Sequence, residues 1–314
     1  MKKKIASITA LAGLTTLVIH ALNKTHYSIS TVKNILSNPN NKHYEWRFGK
    51  IRYIKKGYGS PILLLHNLTV GSSNYEFFRI INKLSEHHEV YAIDLLGFGL
   101  SDHPNITYTN YLYVQSVLDF IKNVIGRKTS IIASGDSASI AIMAAHNDGI
   151  MIDKIGLINP QSLEKMNQIP NKKTRLFKFF IDIPVFGTYF YNLLTSKESF
   201  RKIFSKDYYF DQSIIREYLI EAYNESAHIP DYNSKYSFSS YAGRFMNANI
   251  IHALKQINHS IFILYGKEKE DINITVDTYI AYNASIEKFS IDNTKQLPHL
   301  ENPKTVLEQL EILF

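Results

Sequence analysis

Cysteine is missing from all 314 residues. Its absence excludes disulfides, thiolate catalysis and cysteine–zinc sites, and leaves the redox compartment open. The 12 histidines include no HExxH and no paired-histidine metal spacing, so neither a metal nor an organic cofactor is expected. No internal repeat and no low-complexity run occurs. Positive charge is not gathered into a stripe: of the formal +7, Lys2, Lys3 and Lys4 supply three charges and the rest are scattered. That pattern argues against a nucleic-acid partner. What is there is a chain 45% hydrophobic and 20% charged, long enough for one large domain with an insertion or for two small domains.

"MKKKIASITALAGLTTLVIHALNK" opens it. Three lysines precede an 18-residue stretch, Ile5 to Leu22, with no formal charge, which is marginally long enough to span a bilayer. Residues 1–22 therefore read as a membrane anchor or a signal segment, with a loosely docked helix as the third option. Ile19-His20-Ala21 fits a cleavage site poorly. The lysines are expected to stay cytoplasmic, which puts the rest of a membrane-anchored chain on the extracytoplasmic face. Residues 23–43 read as a linker.

Beyond it, apolar runs alternate with helical patterns. "YEWRFGKIRYIKKGYGS" reads as two short strands, "PILLLHN" as a strand buried on both faces, and 74–85 as a helix. "EVYAIDLLGFGLSD" is a strand entering a glycine-rich loop, and 108–125 is helical. "TSIIASGDSASIAIMAAH" is strand, tight turn and helix, and "KIGLINP", "SIFILYG" and "SIEKFSI" are further strands. The alternation implies an α/β fold with a mostly parallel sheet and helices on both faces. It stops between 161 and 258, a helical, aromatic-rich cap inserted between strands of the core, 44–160 and 259–314. Such a cap overhangs the carboxyl ends of the strands, where open α/β sheets bind ligands. Phe177, Phe179, Phe180, Tyr189, Phe190 and Tyr191 are expected to include its apolar pocket lining.

"SGDSAS" holds the candidate nucleophile. Gly135 and Ser139 flank Ser137 two residues away on each side, as a sharp strand-to-helix turn requires. The N–H of Ala138 would face a developing oxyanion. A shifted register makes Asp136 the nucleophile, and the bland alternative is a small-residue helix start.

From about Tyr44 onward the chain resembles the α/β-hydrolase superfamily. "LLLHNLTVGSS" looks like its oxyanion strand and loop, "AIDLLGFGLSDHP" like DxxGxGxSxxP, "GDSAS" like the nucleophile elbow and "LPHLENP" like PHxExP. "YEWRFGKIRY" and the amino terminus further resemble a clostridial membrane-anchored group with a degenerate triad. The resemblance implies an α/β-hydrolase fold, a nucleophile at Ser137 and a second oxyanion donor at the N–H of Leu68. It also exposes departures. Asn67 stands where the family has glycine, with left-handed dihedrals as its way of fitting. His66 matches a structural loop histidine. The acid position holds Lys269, with Glu270 and Asp271 beside it, and the other acid location holds Asn159-Pro160. Counting back from Glu301, the base position holds Gln296, while His299 lies three residues on.

Two functions follow. One is a membrane-anchored serine hydrolase, esterase-like, acting on a small apolar or acyl substrate. Its residues would be Ser137, a non-standard base (His299 or His228) and Glu270 or Asp271 as orienter. The other is a catalytically impaired pseudo-hydrolase that binds or scaffolds.

Overall fold

The computed structural model describes residues 2–229 and 233–314, and of positions 2–4, 6 and 8 the backbone only. Eight strands form one sheet in the order β1-β2-β4-β3-β5-β6-β7-β8. β1 (Asn41–Trp46) and β2 (Gly49–Lys56) make an antiparallel edge, and β2 pairs antiparallel with β4 (His88–Ile93). β3 (Ser60–Leu65), β5 (Thr129–Ser134), β6 (Ile152–Ile158), β7 (Ser260–Gly266) and β8 (Ile286–Ile291) continue it in parallel. Along β3, Leu63 and Leu65 enter the core on one face while Ile62 and Leu64 enter the core on the other. The period of two explains why so short a run must be apolar throughout.

α1 is Lys2–Thr31. α2 (Asn110–Phe120) and α3 (Ala138–Asn147) cover one sheet face. Between β6 and β7 lie α4 (Lys172–Asp182), α5 (Phe186–Leu194), α6 (Glu217–His228) and α7 (Ser234–Ala242). α8 (Ile272–Tyr282) follows β7, and α9 (Pro303–Leu313) covers the other face. The expected mostly parallel sheet with an inserted helical cap is what the chain forms.

Two expectations need correction. The helix over 74–85 is two short turns, Asn74–Phe77 and Ile81–Leu84, with Asp94 Oδ1 accepting the backbone N–H of Asn74 (2.7 Å) at the start of the first. Residues 23–43 are not a linker. α1 runs on to Thr31 and β1 begins at Asn41. The end of α1 is built into the cap: Asn23 Nδ2 donates to Val185 O (2.9 Å), Asn192 Nδ2 donates to Asn23 Oδ1 (3.0 Å), and Glu225 accepts the N–H groups of Ile35 and Leu36. Among the described residues no helix is long and apolar enough to cross a membrane. Met1 and the side chains at 2–4, 6 and 8, on which the expected anchor partly rests, lie outside the described residues.

Candidate active site

β5 ends at Ser134, and the chain turns into α3 through Gly135, Asp136 and Ser137. The left-handed backbone of that turn belongs to Gly135, with φ +56°. Ser137 has helical dihedrals, φ −67° and ψ −11°, at the start of α3. It is fully buried, and its Oγ donates to the backbone carbonyl of His66 (2.5 Å). The apex of the elbow is thus two residues before Ser137. Small residues lie two away from Gly135 on each side, Ala133 and Ser137, so the packing requirement is met in this register as well. Asp136 follows the apex. Its carboxylate lies 3.4 Å from Gln161 Nε2 and 3.3 Å from Tyr241 Oη, and burial raises its pKa.

The oxyanion cradle is correspondingly shifted, and it is filled. The N–H groups of Leu68 (2.8 Å) and Asp136 (3.0 Å) both donate to the side-chain oxygen of Asn67. Two backbone donors converging on one atom fix it as the carbonyl oxygen of the amide. The other expected donor, the N–H of Ala138, is spent inside the turn on the carbonyls of Asp136 and Gly135. A Cβ on Gly135 would meet Asn67 Oδ1 at 2.3 Å and its Cγ at 2.5 Å, so the asparagine lies where an apex side chain would begin. Left-handed dihedrals were the expected way for Asn67 to fit, and it is not among the positive-φ residues. It is held instead by its N–H to Glu76 Oε2 (3.1 Å) and by its carbonyl, which accepts from His66 Nδ1 (2.6 Å). His66 Nε2 accepts the N–H of Leu95 (3.0 Å), so the ring is the neutral Nδ1–H tautomer, and burial lowers its pKa.

His299 is not brought to Ser137. Pro298 opens a short helical turn, and the imidazole points inward, fully buried, stacked on Phe77 with Nε2 3.3 Å from Glu76 Oε1. Burial pushes the Glu76 carboxyl upward, but the opposing influence of His299 and Ser134 and the N–H of Asn67 leave it below the ordinary range. His228 lies in the cap interior, between Tyr191 and the His26 ring of α1, its Nδ1 donating to Asn224 O (2.6 Å); burial lowers it to about 4. Glu270 and Asp271 are exposed, Asp271 with φ +55° just before α8, and neither hydrogen-bonds a histidine. None of the six cap aromatics lines the cleft that holds Lys269 and Gln296. Phe179 (64% exposed), Phe180 and Phe190 face outward, while Tyr191 is buried and donates to Ala227 O.

What the structure does bring together is the pair of departures. Gln296 and Lys269 line one polar cleft of about 520 Å³ with Gln161, Lys165, Lys206 and Glu270. Two residues that the sequence marks only by position hold it in shape. Asn159, at φ +46°, donates through Nδ2 to the carbonyls of Lys295 (2.6 Å) and Gln296 (2.9 Å) and accepts the N–H of Gly266 (3.1 Å), stapling β6, β7 and the Gln296 loop. Glu301 accepts the N–H groups of Lys295 (2.6 Å) and Phe210 (2.7 Å). Among the described residues no group of acidic and histidine side chains is placed to hold a metal.

Burial lowers Lys269 to about 8; Asp136 opposes the shift and Lys165 adds to it. Below pH 8 both folded and unfolded chains carry this proton and the burial penalty is full; between 8 and the ordinary 10.5 the unfolded chain binds more protons, so stability rises with pH. Lys269→Met should therefore raise the melting temperature at pH 7, by about 2–4 °C per kcal/mol relieved. The gain should fade as pH approaches 10.5. Calorimetry of both chains across pH 6–11 measures it. A gain independent of pH would reject the assignment.

The sequence model of the alpha/beta hydrolase family matches residues 62–309, and the chain belongs to that family. Over 101 residues it is 32% identical to a 2-hydroxy-6-oxo-6-(2'-aminophenyl)hexa-2,4-dienoic acid hydrolase of Metapseudomonas resinovorans, covering 31% of this chain and 35% of that protein. The match thus spans about a third of this curated relative. Among solved structures, an epoxide hydrolase superposes with TM-score 0.71 at 18% identity over 87% of this chain and 98% of its own. A membrane phospholipase A superposes with TM-score 0.67 at 20% identity over 99% and 97%. The expected family and fold are met, and these relatives are hydrolases by name.

Proposed function

We propose that this chain keeps the pocket of its family as a binding site for a small polar molecule and does not carry acyl transfer through a serine. One observation carries the reading: the amide oxygen of Asn67 occupies the two-donor cradle beside an apex that is glycine. An oxyanion would have to displace that oxygen, and a nucleophile would have to replace Gly135. Gln296 cannot serve as a base at neutral pH, and Lys269 would repel the imidazolium of any histidine placed there. The site's polar side chains, Gln161, Lys269 and Gln296, suit hydrogen bonding to a ligand rather than extraction of an apolar one.

The basic and apolar start of α1 supports membrane association, with the folded part on the extracytoplasmic face. The membrane phospholipase A resembles the chain over α1 as well as the body, which is consistent with that reading.

A second reading, hydrolysis without a serine, is favoured by Lys269. An amine brought to about 8 beside Asp136 is partly neutral in mildly alkaline solution and can accept a proton from water.

A fluorophosphonate probe separates these. The wild type should remain unlabelled, and Ser137→Ala should change nothing. Labelling that disappears in Ser137→Ala would restore the serine route. Ester turnover lost in Lys269→Met but kept in Ser137→Ala would select the second reading.

A further inference from the structure

The cap turns its apolar side outward. On α4, Leu176, Phe179 and Phe180 stand on one face, and on α5, Phe186, Phe190 and Leu193 stand on another. All six are at least 44% exposed. The spacings of three, four and seven place each set on a single stripe. The stripes join, since the Phe180 and Phe190 rings lie 6.5 Å apart edge to face. The inward side of α4 holds Lys178 instead, whose ammonium donates to Asp182 (2.8 Å). So large a contiguous patch on a folded surface marks an interaction site.

Two features say what covers it. Lys172, Lys173 and Arg175, in the first turn of α4, are exposed and form no salt bridge among the described residues. The hydrogen bonds of Asn23 to Val185 and Asn192 fix α1 against α5, so the exposed Leu11, Leu14, Leu17 and Leu22 leave the body beside the same patch. A second copy packed isologously would bring these cations close to their own symmetry mates. An anionic surface with an apolar interior complements both features.

We infer that the α4–α5 face lies in the interfacial layer of a lipid bilayer with anionic headgroups, as a second contact beside α1. The inference rests on the membrane association proposed above. The rings of Phe179, Phe180 and Phe190 enter the headgroup–acyl boundary while the basic first turn of α4 meets the headgroups.

The absence of cysteine makes the test direct, because a single substitution supplies a unique thiol. Full-length Phe179→Cys and Phe190→Cys, with Ile150→Cys on the core as control, carry a bimane label. They are mixed with vesicles of phosphatidylcholine containing a minority of phosphatidylglycerol and a nitroxide on the acyl chain. The expected result is flotation of all three, at least about two-fold quenching at 179 and 190, and none at 150. Lys172→Ser/Lys173→Ser should weaken binding to anionic vesicles by roughly 5-fold per cation removed and leave binding to neutral vesicles unchanged. Flotation without quenching at 179 and 190 would overturn the inference and leave anchoring by α1 standing. Failure to float would overturn both. A concentration-dependent emission shift without vesicles would assign the face to a second copy.

Discussion

Gly135→Ser, made alone, should destabilise the fold by about 2–5 kcal/mol. Two contributions add. A residue with a Cβ at φ +56° bears roughly 1–2 kcal/mol of left-handed strain. The new Cβ also meets the Asn67 amide at 2.3–2.5 Å, an overlap of the kind that costs about 1–3 kcal/mol in a packed interior. Asn67→Gly alone should also destabilise, by about 1–3 kcal/mol, because the N–H groups of Leu68 and Asp136 lose their acceptor. In the double variant the overlap is gone, so the serine should cost only its backbone strain. Urea unfolding of the four chains gives the coupling directly. A coupling below about 0.5 kcal/mol would mean that Asn67 and Gly135 are independent, and the filled cradle would be rejected.

That pair explains why the fold was more legible than the site. "PILLL" and "TSIIAS" announce doubly covered strands by composition alone, and the interruption of the alternation after β6 locates the cap. Gln296 and Lys269, placed by spacing from Glu301 and from the end of β7, line the same cleft. The apex was different. "ASGDSAS" has small residues in two registers, and the choice between them depends on a backbone angle at Gly135 and on an amide 68 positions away in sequence. The joint departure, asparagine in the loop and glycine before the aspartate, was the available signal. His299 misled because its spacing from Pro298 puts it on the inner side of a turn, against Glu76. Glu270 and Asp271 line the same cleft as Gln296, but they are exposed and hydrogen-bond no histidine, so sequence nearness to Lys269 does not make either an orienting acid. The cap aromatics obeyed helical periodicity, but periodicity does not say which face turns inward. Lys178 donates to Ser239 Oγ on α7 (3.3 Å) and Asp182 accepts from that hydroxyl (2.6 Å), which holds the polar side of α4 inward.

The same geometry states what would rebuild catalysis. A chain carrying Asn67→Gly, Gly135→Ser, Lys269→Asp and Gln296→His should hydrolyse an activated ester at least about 10³-fold faster than the wild type. Each change restores one part. The serine stands at the apex of the turn, and Asn67→Gly removes the three atoms nearest its Cβ. The emptied cradle offers the N–H groups of Leu68 and Asp136, and a single such donor is worth about 10²–10³ in rate. The histidine at 296 supplies general-base assistance of about 10²–10⁴. The aspartate at 269 orients it and removes a buried cation from beside it. Because these groups act as a unit, chains with any three of the changes should show little of the gain. Adding Ser137→Ala to the full set should leave the new activity intact, since that hydroxyl is committed to the His66 carbonyl. Loss of the activity on that last substitution would mean that Ser137 is the nucleophile after all and that the apex has been misassigned by two residues.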